Sequence, residues 1–205
     1  FYAINLVGGI ANMVHPLSSE KEIEFCLKES GSVVCLALDQ TYGKFENIRE
    51  NVQLRSLIIT SVKDVQRQKK KRGYYLTEGR KVKKVPKEAH IIWWRNFLES
   101  GNLYKGNYTV VRKSEDPAVI LYSGGTTGTT KGILLSNLNF NALGSQVIAT
   151  NKMFKPGDKM LTVMPMFHGF GLGVSVHSML SQGGRCILIP RFSAESYAKL
   201  LRRHQ

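Results

Sequence analysis

Ten consecutive residues, 123–132, form the stretch of this chain whose composition best suits chemistry. They read SGGTTGTTKG and hold four glycines, four threonines, one serine and one lysine. Glycine lets backbone N–H groups approach an anion closely, hydroxyls add side-chain donors, and lysine adds a positive charge. The composition therefore predicts a phosphate-binding loop, with an ordinary polar hairpin loop as the alternative.

This loop does not follow the two common phosphate-binding motifs. The P-loop pattern G-x-x-x-x-G-K-[ST] fails, because two threonines separate Gly128 from Lys131 and Gly132 stands where a magnesium-binding hydroxyl belongs. The pattern G-x-G-x-x-G is absent as well, and the apolar residues 132–136 predict a strand after the loop rather than a helix. We therefore expect a strand–loop–strand cradle that has no helix N-terminus.

A second stretch whose residues could take part in a reaction is 164–173, MPMFHGFGLG. It places His168 after a proline and among glycines. An exposed imidazole fits such a segment, and a hydrogen-bonded core histidine is the alternative. The other candidates, each of which also fits an ordinary packing or solvent-facing position, are Phe170, Gly171, Val174 and Arg191.

Apolar runs and amphipathic segments alternate along the chain, as expected of an α/β fold with a mostly parallel sheet flanked by helices. The run 32–39, SVVCLALD, predicts a strand buried on both faces, and the segment 90–102, HIIWWRNFLESGN, predicts a helix docked on the core. Ser18 or Ser19 should cap a helix that Gly31 ends. The other predicted strands are 10–16, 56–62, 118–123, 131–136, 159–165 and 185–190, and the other helices are 42–52, 138–151 and 194–205.

Three segments emerge along the sequence: 1–62 and 116–205 carry this alternation, and 63–115 interrupts it. Within the middle segment, residues 63–95 include twelve basic and three acidic residues, and so hold nine of the fourteen net positive charges. Such a run is typical of a solvated excursion, and it also suits contact with nucleic acid or an anionic membrane surface. No nucleic-acid fold signature surrounds it, so nucleic acid is the less favoured partner.

The rest of the composition narrows the class of protein. No run approaches the roughly 18 apolar residues of a membrane span, and no secretory signal opens the chain. Cys26, Cys35 and Cys186 lack C-x-x-C spacing, so we expect reduced, buried thiols and a cytoplasmic location. The sequence opens without Met and stops within an amphipathic pattern, so we expect both ends to continue in a longer protein.

Residues 122–132, YSGGTTGTTKG, resemble the signature loop of the adenylate-forming (AMP-binding) superfamily. That superfamily includes acyl-CoA synthetases, plant coumarate–CoA ligases, beetle luciferases and the adenylation domains of peptide synthetases, and its loop reads [Ser/Thr/Gly]-[Ser/Gly/Ala]-Gly-Thr-Thr-Gly-x-Pro-Lys-Gly. Thr130 departs from the pattern, because it stands where the family has proline. Two further stretches, 1–16 and 164–173, are similar to family segments in the same order, and the second resembles CoA ligases and luciferases most. The matching loop residues are Ser123, Gly124, Gly125, Thr126, Thr127, Gly128, Lys131 and Gly132.

The resemblance implies that the chain is part of the large N-terminal domain of an acyl-CoA synthetase. The implied reaction joins a fatty or aryl acid to ATP as an acyl-adenylate, releases pyrophosphate, and transfers the acyl group to coenzyme A, with Mg²⁺ as the metal. The loop and Lys131 would hold the β- and γ-phosphates, and His168 would lie beside the adenylate. Arg191 would lie near the nucleotide part of coenzyme A. The acyl pocket would be lined by Phe170, Gly171 and Val174.

Other segments that the family needs, among them the Tyr-Gly-x-Thr-Glu segment whose glutamate helps to hold Mg²⁺, are not found within these 205 residues. We therefore expect no metal ligand among them and no complete reaction from residues 1–205 alone. Two other hypotheses stay open. One is a degenerate binding module whose basic segment 63–95 contacts nucleic acid or membrane, and the other is a ligase whose acceptor is a carrier-protein thiol.

Overall fold

The computed structural model describes residues 1–65, 82, 84–124, 130–150 and 154–204. The chain divides into two compact units. We call Phe1–Met13 with Tyr108–Gln205 the loop unit, and Val14–Asn107 the parallel-sheet unit. This division follows contacts in space, whereas the three segments predicted above follow the sequence and stay a prediction.

Helices and strands alternate as an α/β chain should, and four of the five strand pairs among the described residues are parallel. A π-helical segment at Phe170–His177 and short 3₁₀ turns at Asp39–Thr41, Arg49–Asn51 and Val62–Val65 complete the described elements. The helices and strands in chain order are α1 (Tyr2–Leu6), β1 (Ala11–Met13), α2 (Glu20–Ser30), β2 (Val34–Leu38), α3 (Tyr42–Ile48), β3 (Ser56–Thr60), β4 (Ile91–Trp93), α4 (Trp94–Leu103), β5 (Pro117–Gly124), β6 (Thr130–Ser136), α5 (Asn137–Thr150), β7 (Lys159–Thr162), α6 (Ser178–Ser181), β8 (Arg185–Leu188) and α7 (Ala194–His204).

In the parallel-sheet unit, the strands pair in the order β2-β3-β4. Helices α2 and α3 pack on the sheet face that carries Ala37, Leu57 and Ile59. Helix α2 begins where the Ser19 hydroxyl accepts a hydrogen bond from the Glu22 N–H at 3.3 Å, and it ends at Gly31, whose φ of 59° is left-handed. Both signals confirm the predicted cap and stop, which are local properties of the sequence.

Two predictions in this unit are wrong in part. Strand β2 is not buried on both faces: Val34 is 53% exposed and Leu36 is 55% exposed, because α2 and α3 cover only the opposite face of the sheet. The predicted helix 90–102 begins later, since Ile91–Trp93 pairs with β3 as strand β4. The helix that follows, α4, contacts β3 and β4, as the predicted docking requires, although none of its residues is buried.

In the loop unit, β1, β5 and β6 form a mixed sheet in the order β1-β5-β6, and β7 pairs with β8 in parallel. Strand β5 runs parallel to β1 and antiparallel to β6. The strands on both sides of the glycine loop are therefore the two arms of a hairpin. The core of this unit includes Ala11, Val119, Leu121, Phe140 and Leu172.

The three cysteines are free thiols, as predicted. Cys26 is buried, whereas Cys35 and Cys186 are partly exposed. Burial raises the pKa of Cys35 to about 12, which keeps this thiol protonated at neutral pH and unsuited to nucleophilic chemistry. Within the described ranges, no group of three or more His, Cys, Asp or Glu could hold a metal ion, and no helix is long and apolar enough to cross a membrane.

The side chain of Arg112 joins the segment before β1 to the start of β5. Its two terminal nitrogens donate to the backbone carbonyls of Gly8 and Pro117, and its Nε lies 3.4 Å from Oδ2 of Asp116. The side chain is only 17% exposed. Arg112 therefore fixes where β5 starts, and β5 leads directly to the glycine loop.

Replacing Arg112 with methionine should lower the free energy of unfolding by about 2 kcal/mol, because two partly buried carbonyls lose charged hydrogen-bond donors. Arg95→Met is the matched control, since Arg95 is 86% exposed and its one ion pair among the described residues is with Glu99 on its own helix. That change should cost no more than about 0.5 kcal/mol. Urea denaturation of both variants measures the difference, and equal losses would contradict a structural role for Arg112.

Candidate active site

The β5–β6 hairpin brings the two ends of the glycine loop together. Ser123 lies directly opposite Lys131, and Gly124 lies opposite Thr130. Directly opposed residues of an antiparallel pair project from the same face, with Cβ atoms about 4.5–5.5 Å apart. A hydroxyl and an ammonium group therefore emerge side by side at the base of the loop. The predicted phosphate-binding residues between them, Gly125, Thr126, Thr127 and Gly128, lie outside the described residues.

The Lys131 side chain is exposed. Within the described part of the chain, no carboxylate lies at ion-pair distance from its ammonium group. A lysine next to an exposed hydroxyl, with no acidic neighbour there, suits an anionic group with several oxygens. The donors present at this position thus fit a polyphosphate.

The opposite face of the hairpin carries a contact that sequence analysis missed. A Cβ added to Gly132 would lie 3.3 Å from Cε1 of Tyr122 and 3.3 Å from Cγ2 of Ile120. The Tyr122 ring therefore lies close to the Gly132 backbone, across the strand pair. A glycine opposite an aromatic residue is the sequence signal that could have revealed this contact, once the register was known.

His168 has the exposed side chain expected of a site residue, and a tight turn orients it. Its backbone N–H donates to the Pro165 carbonyl at 3.1 Å. Its Nδ1 accepts a hydrogen bond from the Phe170 N–H, also at 3.1 Å. Because a backbone N–H can only donate, the neutral imidazole carries its own hydrogen on Nε2. The ring therefore offers one N–H donor that the turn does not use.

The His168 turn lies against the strand that leads into the glycine loop. The position that a Cβ would take on Gly169 is 3.5 Å from Cδ1 of Leu121. Leu121 precedes Ser123 by two residues, so both project from the same face of β5. The structure thus brings together the Ser123–Lys131 pair and the His168 turn, two stretches that sequence analysis treated separately.

The residues after His168 form the π-helical segment, a rare geometry that often occurs at functional sites. Phe170 is 52% exposed and Val174 is partly buried. Gly171 is buried, and a Cβ there would lie only 2.0 Å from the Pro165 carbonyl oxygen. Gly171 therefore permits a backbone contact that every other residue would block.

Arg191 stands apart from this group. Its side chain is exposed and follows the end of β8 by three residues. No hydrogen bond or ion pair between described residues joins it to Lys131 or His168. A role near coenzyme A for Arg191 is therefore still a prediction.

Eight of the twelve basic residues of 63–95 lie outside the described residues: Arg67, Lys69, Lys70, Lys71, Arg72, Arg80, Lys81 and Lys83. Contact of this segment with an anionic membrane surface, and the less favoured contact with nucleic acid, stay predictions. The same holds for the hypothesis of a degenerate binding module.

Comparison with known proteins shows the family to which the chain belongs. The AMP-binding enzyme family matches the whole chain, residues 1–205. The chain therefore belongs to the AMP-binding enzyme family, as its loop indicated.

Two relatives illustrate the range of the similarity. A long-chain-fatty-acid–CoA ligase of Bacillus subtilis is 29% identical over 207 residues, covering all of this chain and 37% of the relative. A probable 4-coumarate–CoA ligase 3 of Dictyostelium discoideum is 28% identical over 215 residues, covering all of this chain and 36% of the relative. The chain thus spans about a third of the length of these relatives.

Solved structures share the fold. ATP-bound MatB from Rhodopseudomonas palustris matches with a TM-score of 0.72 at 18% identity, over 98% of this chain and 34% of that protein. The inhibitor-bound N-terminal domain of FACL13 from Mycobacterium tuberculosis matches with a TM-score of 0.69 at 20% identity, over 98% of this chain and 42% of that domain. At these identities the likeness shows the fold alone, which is that of the N-terminal domain of adenylate-forming enzymes.

Proposed function

We propose that this chain carries the phosphate loop and part of the acyl pocket of an ATP-dependent acid–thiol ligase. In the protein at its full natural length, the enzyme activates a fatty or aryl acid to an acyl-adenylate and transfers the acyl group to coenzyme A. The observation that carries this proposal is the exposed Ser123–Lys131 pair at the base of the loop, beside the His168 turn. Family membership and the names of the relatives support ATP, a carboxylic acid and coenzyme A as substrates.

In the first step, a carboxylate oxygen of the acid attacks the α-phosphorus of ATP, and the bond from that phosphorus to the bridging oxygen of pyrophosphate breaks. Negative charge grows on the departing pyrophosphate. Lys131 and Ser123, with Gly124, Gly125, Thr126, Thr127 and Gly128 of the loop, stabilise that charge by position and hydrogen bonding. Mg²⁺ would supply further charge neutralisation on the phosphates, and no residue of this chain is assigned to it.

Near the reacting carboxyl group, His168 donates from Nε2, because the Phe170 N–H already occupies Nδ1. In this proposal His168 lies beside the adenylate, and Phe170 and Val174 form part of the wall for the acyl chain. Gly171 brings the backbone of this wall close to Pro165. Arg191 contacts the nucleotide part of coenzyme A.

Product analysis with the full-length protein tests this proposal. The protein is incubated with ATP, Mg²⁺, coenzyme A and single acids, with fatty acids of increasing length in one series and aryl acids in the other, and the products are identified by mass spectrometry. We expect an acyl-CoA, AMP and pyrophosphate, each dependent on the acid. Formation of ADP and phosphate in place of AMP and pyrophosphate would contradict the proposed reaction.

The same experiment separates the alternatives. An acyl-adenylate that accumulates with coenzyme A but disappears when a phosphopantetheinyl carrier protein is added would favour the carrier-protein acceptor.

We also propose that residues 1–205 alone do not complete the reaction, since the other family segments are not among them. Acyl-CoA formation by these 205 residues would overturn that part.

A further inference from the structure

His177 ends the π-helical segment and connects it to two helices. Its Nδ1 lies 3.1 Å from the Tyr2 hydroxyl of α1, and its Nε2 lies 3.2 Å from Oδ1 of Asn141 on α5. The ring stacks on Tyr2 with centroids 6.0 Å apart, and it lies 4.9 Å from the ring of Phe140. One imidazole thus holds three elements of the loop unit together.

The hydrogen bonds define which tautomer the neutral imidazole of His177 adopts. The Asn141 side-chain oxygen can only accept, so Nε2 must carry a hydrogen. In the neutral ring Nδ1 then accepts, and the Tyr2 hydroxyl donates to it. With the neutral ring, both hydrogen bonds of this series form, from the Tyr2 hydroxyl to His177 and from His177 to Asn141. We call it the Tyr2–His177–Asn141 relay.

Glycines make room for this arrangement. A Cβ on Gly144 would lie 3.2 Å from Cδ2 of His177, and a Cβ on Gly173 would lie 2.6 Å from Cδ2 of Leu143. The π-helical segment therefore packs closely on α5 at two positions. It is the segment that carries Phe170 and Val174, and its first turn is closed by the bond from the Leu172 N–H to the His168 carbonyl at 2.9 Å.

We propose that His177 is a positioning residue, which through the Tyr2–His177–Asn141 relay holds the π-helical segment where Phe170 and Val174 can bind the acyl chain. This inference rests on the proposed function, because it concerns the affinity of the same site for the acid. No direct contact of His177 with the substrate is involved. Loss of the relay should therefore weaken acid binding and leave the chemical step nearly unchanged.

The relay also makes acid binding depend on pH. Burial lowers the pKa of His177, so the folded protein favours the neutral ring. Three polar groups lie near the His177 ring: the Tyr2 hydroxyl from α1, the Asn141 amide from α5 and the Ser181 hydroxyl from α6. The Ser181 hydroxyl lies beside Gly144. No carboxylate of the described residues lies at ion-pair distance from the His177 ring. The pKa of Tyr2 is raised by burial and then by Cys186 of β8, and burial also raises the pKa of Cys186. Tyr2 and Cys186 are therefore both uncharged at neutral pH.

The direction of the pH dependence follows from the lowered pKa of His177. An unfolded histidine titrates near pH 6.5, whereas folded His177 takes up its proton only at lower pH. The stabilisation from the neutral relay is therefore complete above about pH 6.5 and falls as the pH drops toward the folded pKa. The KM for the acid should rise only as the pH falls through the folded pKa of His177, because the ring of the folded protein stays neutral above it.

Three variants of the full-length protein test the proposal in steady-state kinetics of acid-dependent pyrophosphate release, from about pH 8 to about pH 5.5. His177→Leu removes both hydrogen bonds and should raise the KM for the acid about three- to tenfold at every pH. His177→Gln can keep both bonds but cannot titrate, so its KM should stay near the wild-type value at pH 8 and lose the rise at low pH. Tyr2→Phe should give a smaller increase. In all three, kcat should change less than twofold.

Imidazole NMR titration of the same proteins gives a readout that does not need turnover. We expect His177 to titrate below its ordinary pKa in the wild type and to shift toward that value in Tyr2→Phe. An ordinary pKa that Tyr2→Phe leaves unchanged would overturn the relay. A wild-type KM and pH profile in His177→Leu would overturn its positioning role.

Failure of the proposed function has a different signature. In that case the unmodified protein would release no pyrophosphate with any acid, and the inference about acid binding would fall with it. The NMR titration would still decide whether the relay exists.

Discussion

Replacing Lys131 with alanine should lower kcat/KM for acid-dependent pyrophosphate release by about 10²–10³-fold. Lys131 is exposed, lies opposite Ser123 in the hairpin, and has no carboxylate at ion-pair distance among the described residues. Its charge is therefore available to the phosphates of ATP. Because charge grows on pyrophosphate as it departs, the loss should be larger in kcat than in the KM for ATP.

Lys21→Ala is the matched control for this change, since Lys21 is an exposed lysine on α2 in the other unit. It should leave kcat/KM within about twofold of the wild type, while both variants should unfold at the same urea concentration as the wild type. A Lys131→Ala enzyme that keeps wild-type kcat/KM would show that the loop does not act on the leaving group. Equal losses in the two variants would point to net charge instead of position.

Replacing Gly171 with alanine should lower the free energy of unfolding by about 3 kcal/mol. The added Cβ would lie 2.0 Å from the Pro165 carbonyl oxygen, 2.6 Å from its carbon and 2.8 Å from the Met164 carbonyl oxygen. All three atoms belong to the backbone, so no side-chain rotation can relieve the overlap. The turn that orients His168 must then move, and we expect activity to fall as well.

Gly101→Ala is the control, because Gly101 lies in the exposed helix α4 and a Cβ there would meet no atom of the described residues within 4 Å. Alanine favours helix more than glycine does, so this variant should be more stable by up to about 1 kcal/mol. Urea denaturation should show a lower free energy of unfolding for Gly171→Ala and a higher one for Gly101→Ala. A Gly171→Ala protein as stable as the wild type would contradict the tight contact with Pro165.

Features encoded within a few residues could be predicted from the sequence. The Ser19 cap and the Gly31 stop of α2 are such features, since each acts within one helical turn. The strands on both sides of the glycine loop were also predicted, because apolar runs flank a loop rich in glycine. The resemblance of that loop gave the family, which the match over the whole chain confirmed.

Features that depend on distant segments could not be predicted. The apolar run of β2 does not reveal that only one of its faces is covered by helices, so Leu36 was expected to be buried and is exposed. The short run Ile91–Trp93 suits a helix or a strand, and pairing with β3 decides between them.

Within the candidate site, composition identified Ser123 and Lys131, but only the hairpin register places them opposite each other. The relay of Tyr2, Asn141 and His177 joins residues far apart in the sequence, and no local pattern marks it. The roles of Gly125, Thr126, Thr127 and Gly128 stay proposals that rest on the resemblance.

The most direct test of the central proposal is the acid-dependent exchange of labelled pyrophosphate into ATP by the full-length protein, measured without coenzyme A. The proposed mechanism predicts exchange with a fatty or aryl acid and none without an acid, because adenylate formation is reversible and precedes thiol transfer. Lys131→Ala should abolish most of that exchange. Absence of exchange with every acid, in a protein that is folded and binds ATP, would contradict the assignment of this chain to an acid-activating ligase.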